Sequence, residues 1–60
     1  MTAAKMRVRL RNKEYGTVVR IIRTTAIGGE LHWVCRDETY GGVCWLPIEQ
    51  YTAGAWEVLS

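Results

Sequence analysis

The chain is poor in the residues that build metal centres and disulfide frameworks. It contains two cysteines, one histidine and one proline. Two cysteines are too few for a disulfide-rich framework, and a single histidine beside them leaves a four-ligand zinc site incomplete. Cys35 and Cys44 also lack CxxC spacing, so reactive thiols are not expected. We expect two small buried thiols, and the sequence leaves a single cross-strand bridge open as the alternative.

Long apolar runs are also missing. No stretch approaches the roughly 20 apolar residues that a membrane-spanning helix needs. The opening segment, MTAAKMRVRLR, has no apolar core of the kind that a signal peptide carries. These absences predict a cytoplasmic protein that has no membrane partner.

The residue combinations that carry catalysis are absent as well. The sequence shows no paired carboxylates and no phosphate-binding glycine loop, and His32 has no acid and nucleophile arranged near it. We therefore predict a protein that is not an enzyme, with no catalytic residue, no cofactor and no metal.

What the chain does contain is a strong pattern for a β-hairpin over residues 31–48. Leu31, Trp33 and Cys35 alternate with His32, Val34 and Arg36. Two glycines at 41 and 42 then allow the chain to reverse, and a second extended run starts at residue 43. Placing Arg36 opposite Val43 makes one face wholly apolar. That face consists of Leu31, Trp33, Cys35, Cys44, Leu46 and Ile48. The opposite face carries His32, Val34, Arg36, Val43, Trp45 and Pro47, which predicts an exposed Trp45.

Shorter extended runs surround this hairpin. Residues 6–11 alternate, with Met6, Val8 and Leu10 predicted to face inward. Residues 17–23 are rich in β-branched side chains, and their paired apolar residues indicate a bend or a bulge. Residues 24–30 are predicted to form a loop, residues 49–54 a short helical turn and corner, and residues 55–59 a last strand. Five short strands predict one all-β domain over residues 1–60, with residues 1–5 as a flexible N-terminus.

The helical turn before the last strand gives this pattern a resemblance to SH3-like barrels, which implies a five-stranded small barrel. Residues 16–21, GTVVRI, resemble the core of KOW and Tudor-like barrels, found in RNA- and chromatin-associated proteins. The wider pattern resembles the type II, plasmid-borne dihydrofolate reductases, which are tetramers of such barrels. That family carries Val-Gln-Ile-Tyr before the proline of its fourth strand. Here Cys44, Trp45 and Leu46 follow Val43, so the reductase motif is missing and an oligomeric reductase is an alternative that these departures oppose.

Positive charge is concentrated near the start of the chain. Residues 1–13 hold five basic residues and no acid (+5), and residues 14–60 hold three arginines against six acids (−3), which sum to +2. Arginine binds phosphate bidentately, and phosphate contacts supply most nonspecific affinity for nucleic acid. We therefore predict RNA or DNA as the partner, contacted by Arg7, Arg9, Arg11, Lys13, Arg20 and Arg23. The alternative is a solvated strand face whose arginines pair with Glu57, Glu49 or Asp37 across the sheet.

A second candidate feature is the group of side chains around Trp45. Together with Tyr40, Tyr51 and His32, this residue is predicted to form a platform for stacking or for a partner surface. Trp33 and Trp56 are predicted to be core residues instead. Exposed Trp45, Val34 and Val43 would also form an apolar patch. The alternative function is therefore a protein-interaction or self-assembling barrel, with a protein partner or a homo-oligomer.

Overall fold

The computed structural model describes residues 8–59, which form five β-strands and one short α-helix. The helix lies between the fourth and fifth strands, as the sequence predicts. The elements are β1 (Arg9–Asn12), β2 (Val18–Ile27), β3 (Glu30–Asp37), β4 (Val43–Pro47), α1 (Ile48–Thr52) and β5 (Trp56–Val58). Two predictions, the flexible N-terminus at residues 1–5 and the roles of Met6 and Arg7, lie outside the described residues. Within residues 8–59, no helix is long and apolar enough to cross a membrane.

All five strands belong to one antiparallel sheet in the order β4-β3-β2-β1-β5. The predicted all-β fold with five strands is therefore confirmed. Strand β1 lies between β2 and β5, so the last strand pairs with the first. In the described part of the chain, the edge strands β4 and β5 are not paired with each other, and the sheet is open along that line.

The core is a single apolar cluster on one side of the sheet, which we call the inner face. Its buried members are Leu10, Val19, Ile21, Cys35 and Leu46, and the half-buried residues around them include Val8, Trp33, Cys44, Tyr51 and Trp56. In a flat sheet of five strands, the two edge strands would lie about 19 Å apart, at ~4.8 Å per step. Leu46 of β4 and Trp56 of β5 nevertheless pack against the same cluster. The sheet is therefore curled around its core, and α1 packs against both edge strands.

The predicted register between β3 and β4 is confirmed from the Arg36–Val43 pair to the Trp33–Leu46 pair, whereas Ile48 begins α1 and does not pair with Leu31. Arg36 pairs with Val43, and Trp45 is 54% exposed on the side away from the core, which we call the outer face. Two neighbouring predictions are wrong. Leu31 is 60% exposed, because the core does not extend that far along β3, and Val34 is only 2% exposed although it lies on the outer face.

The prediction of a loop over residues 24–30 is also wrong. Strand β2 continues to Ile27 and β3 begins at Glu30, so only Gly28 and Gly29 form the turn. Their φ angles are +58° and +82°, as a two-residue type I′ hairpin requires. The resulting hairpin is longer than predicted, and much of its distal half is exposed, including Ile27 and Leu31.

The predicted bulge is present in β2 at Ile22. Ile21 pairs with Cys35 and Arg23 pairs with Val34, so Ile22 is the extra residue between them. Simple alternation from the buried Ile21 would place Arg23 on the inner face. Because the bulge shifts the pattern by one residue, Arg23 lies instead beside Val34 on the outer face.

Candidate functional site

The outer face of the sheet carries most of the basic residues of the described chain. Strand alternation and register place five arginines there, two on β1, two on β2 and one on β3. They are Arg9, Arg11, Arg20, Arg23 and Arg36. The same face of β4 carries Val43, Trp45 and Pro47. Basic and apolar groups therefore share one continuous surface that the core does not use.

Three of these arginines form a lateral row across the strands. Arg9 pairs directly with Arg20, and Arg20 pairs directly with Arg36. We call Arg9, Arg20 and Arg36 the arginine row. Since paired strands lie about 4.8 Å apart, the Cα atoms of the row span about 10 Å. Beyond Arg36 the next position in the row is Val43 on the β4 edge.

A single carboxylate bridges two members of the row. Arg9 Nε donates to Glu38 Oε1 at 2.8 Å, and Arg20 Nη2 lies 2.9 Å from Glu38 Oε2. The hydrogen bond from Arg9 and the positive charges of both arginines lower the pKa of the Glu38 carboxyl, and partial desolvation opposes them. Glu38 therefore stays ionised and offsets part of the repulsion within the row. Arg36 lies outside this bridge.

Arg11 has a different role from the row. Its Nε donates to Glu57 Oε2 at 2.6 Å, and its Nη2 contacts the same oxygen. Arg11 and Glu57 are also direct partners between β1 and β5. This is one of the cross-strand pairs that the alternative interpretation of the basic residues expects. Lys13 lies in the turn after β1, where its backbone N–H donates to the Ala55 carbonyl, so it is not part of the row.

Arg23 and Arg36 are the outer-face arginines that make no ion pair with any carboxylate within residues 8–59. Arg23 belongs to a second lateral row, in which it pairs with Val34 and Val34 pairs with Trp45. Val34 is thus enclosed between an arginine and a tryptophan, which gives a physical reason for its burial on the outer face. The two unpaired guanidinium groups and the exposed indole lie in adjacent rows.

The predicted aromatic platform is only partly assembled. Trp45 is on the outer face, and His32 lies one row further along between Thr25 and Pro47, with its Nδ1 3.0 Å from the Glu30 carbonyl oxygen. Tyr40 is exposed in the loop before β4, where the carboxylate of Asp37 accepts a hydrogen bond from its backbone N–H at 2.9 Å.

Tyr51 does not join this group. It packs against the core and meets Trp33 edge to face, with ring centroids 5.5 Å apart and planes at 66°. Trp33 and Trp56 also pack against the core, in agreement with their prediction as core residues. Of the proposed stacking residues, Trp45 is the one that combines exposure with a rigid strand position.

The two cysteines are direct partners in the β3–β4 ladder, and both thiols are free. Burial is the main cause that raises the pKa of Cys35 to about 12, and the adjacent Cys44 thiol raises it further. Burial and the negative charge of Asp37 also raise the pKa of Cys44. Both groups therefore remain thiols at neutral pH and have little nucleophilic character.

Arg36 is the member of the site that sequence reasoning did not select. Its place on the same face as Trp45 follows from the hairpin pattern, but its pairing with Arg20 depends on the register between β2 and β3. That register includes the bulge at Ile22 and a turn of only two glycines. The turn at Gly28 and Gly29 alone would pair Arg36 with Ile21, so placing Arg36 opposite Arg20 requires both that turn and the position of the bulge.

The described residues contain no group of three or more histidine, cysteine or acidic side chains that could hold a metal ion. Comparisons with protein-family models, curated protein sequences and solved structures gave no match to this chain. The outer face of the sheet, with its arginines and Trp45, is therefore the candidate functional site.

Proposed function

We propose that this chain is a non-enzymatic SH3-like small barrel that binds nucleic acid through its outer face. For the barrel, the support is the pairing of β1 with β5 and the packing of both edge strands around one core. The helical turn between β4 and β5 also agrees with the SH3-like resemblance.

The observation that carries the nucleic-acid proposal is the arginine row. Like charges at directly paired positions destabilise a sheet, and one carboxylate, Glu38, compensates two of the three arginines. A phosphate backbone would supply the missing negative charge along the row, and Arg23 lies in the next row to extend it. A function in binding polyanions gives a reason for an arrangement that folding alone does not favour.

Fluorescence anisotropy with labelled oligonucleotides tests this proposal. We expect binding whose affinity falls as salt rises, since released counterions make phosphate contacts salt-dependent. Arg36→Gln should weaken binding, whereas Lys13→Gln removes one exposed charge away from the row and serves as the matched control. Absence of binding at low salt, or equal losses in the two variants, would contradict the proposal.

A second candidate function, protein interaction or self-association, is favoured by the β4 edge. Strand β4 lies at one edge of the sheet and exposes Val43 and Trp45, and exposed apolar edge strands pair readily with other chains. Size-exclusion chromatography with light scattering tests it. A dimer or larger species that Trp45→Lys converts to monomer supports this candidate, and a monomer at high concentration opposes its self-assembly form.

A further inference from the structure

We propose that the ligand of the outer face is single-stranded nucleic acid, with a phosphate on the arginine row and an unpaired base stacked on Trp45. This inference rests on the proposed function and specifies the class of ligand. It follows from the relation between the arginine row and Trp45, and from the limited width of the basic surface.

Arg36 of the arginine row and Trp45 are diagonal neighbours on β3 and β4. Arg36 pairs with Val43, and Trp45 is two residues further along β4 on the same face. Diagonal neighbours of this kind have Cα atoms about 7–8 Å apart, within reach of long and aromatic side chains. A guanidinium group and an indole at that separation can contact the phosphate and the base of the same or the next nucleotide.

Trp45 is suited to stacking by its exposure and its support. Its side chain is 54% exposed, and its direct partner Val34 is 2% exposed. The indole therefore projects from a well-packed part of the sheet and not from a loop. Base–aromatic stacking needs a free base face, which single strands offer and paired duplex does not.

The basic surface is also narrow. The arginine row spans about 10 Å, at ~4.8 Å per strand. On the β5 side, Glu57 is ion-paired with Arg11, and Glu38 is ion-paired with both Arg9 and Arg20. Because the sheet curls around the core, its outer face is convex across the strands. A convex and narrow basic strip fits one sugar–phosphate strand better than the two strands of a duplex.

Four labelled ligands of equal length test the inference: oligo-dT, oligo-rU, an abasic DNA strand and a DNA duplex. The full chain is titrated with each at one salt concentration. We expect oligo-dT and oligo-rU to bind at least fivefold more tightly than the abasic strand and the duplex, because only they can stack a base.

Two substitutions assign the effect to Trp45. Trp45→Ala should weaken binding of oligo-dT at least fivefold and leave the abasic strand unaffected, and Trp45→Phe should restore most of the loss. Tyr15→Ala is the matched control, since it removes an exposed aromatic ring in the β1–β2 turn. Circular dichroism checks the fold, and quenching of tryptophan fluorescence that disappears in Trp45→Phe gives a second readout if the alanine variant is unstable.

The outcomes separate this inference from the proposed function. Equal affinity for all four ligands, with Trp45→Ala unchanged, would overturn the inference and leave nucleic-acid binding intact. Tighter binding of the duplex would also overturn it. No binding of any ligand at low salt would contradict both the inference and the proposed nucleic-acid function. A change of oligomeric mass in Trp45→Ala without a change in binding would overturn the inference and assign Trp45 to a protein contact.

Discussion

Arg20 and Arg36 are direct partners across β2 and β3, so two positive charges face each other on the outer side of the sheet. Neither charge is needed by the core, which lies on the other side. Arg20 is compensated by Glu38, whereas Arg36 has no carboxylate partner within residues 8–59. On the proposed function, a bound phosphate would supply the negative charge that this pair of arginines lacks.

Arg36→Gln should therefore weaken the binding of nucleic acid without lowering the stability of the fold. Relief of repulsion should leave the free energy of unfolding unchanged or raise it by roughly 0.2–1 kcal/mol. Loss of one phosphate contact should make single-strand binding less dependent on salt. The plot of log affinity against log salt concentration should become less steep by about 0.7. Urea denaturation and anisotropy titrations at several salt concentrations measure the two effects. A variant that loses stability but keeps its affinity would assign Arg36 a structural role.

Glu38→Gln should strengthen nucleic-acid binding, because it releases Arg9 and Arg20 to contact phosphate. The same change should lower stability at neutral pH. Arg9 and Arg20 lower the pKa of the Glu38 carboxyl in the folded state. The carboxylate therefore contributes fully to the free energy of unfolding above the pKa that Glu38 has in the unfolded chain. That contribution is lost as pH falls through the folded pKa, and the difference between wild type and Glu38→Gln should then disappear.

Denaturation curves at neutral and acidic pH measure this difference, and anisotropy measures the affinity. Glu14→Gln removes an exposed carboxylate in the β1–β2 turn and is the matched control. An affinity that falls in Glu38→Gln would mean that the bridge holds the arginines in their binding positions.

Substitutions at Gly28 should change stability only through the backbone conformation that this position requires. Its φ is +58°, and a Cβ added there would meet no atom within 4 Å. Gly28→Val should therefore destabilise the chain by about 1–2 kcal/mol through left-handed strain. Gly28→Asn should cost less, since asparagine tolerates this region. Equal costs in urea denaturation would show that the turn does not have this conformation.

Leu10 and Leu31 provide a matched test of where the core ends. Leu10 is 1% exposed and Leu31 is 60% exposed. Leu10→Ala should cost about 2–5 kcal/mol, enough to abolish cooperative unfolding in a domain this small. Leu31→Ala should change stability by at most about 0.5 kcal/mol. A large loss in Leu31→Ala would indicate that a further contact covers the hairpin end.

The hairpin of β3 and β4 could be predicted from the sequence because alternation and Gly41-Gly42 specify the same register. Alternation indicates a face but not how far the core extends along a strand, so the exposure of Leu31 was missed. Burial of Val34 depends on its partners Arg23 and Trp45, which come from two other strands. The alignment of Arg20 with Arg36 depends on the bulge at Ile22, whose position a local pattern does not specify.

The most direct test of the arginine row is a map of backbone amide chemical shifts during titration with a short oligo-dT. We expect the largest changes on the outer face, at Arg9, Arg20, Arg36 and Trp45, with little change at Tyr51 or at the turn of Gly28 and Gly29. Changes concentrated at Tyr51 and the hairpin end, or no changes at low salt, would contradict it.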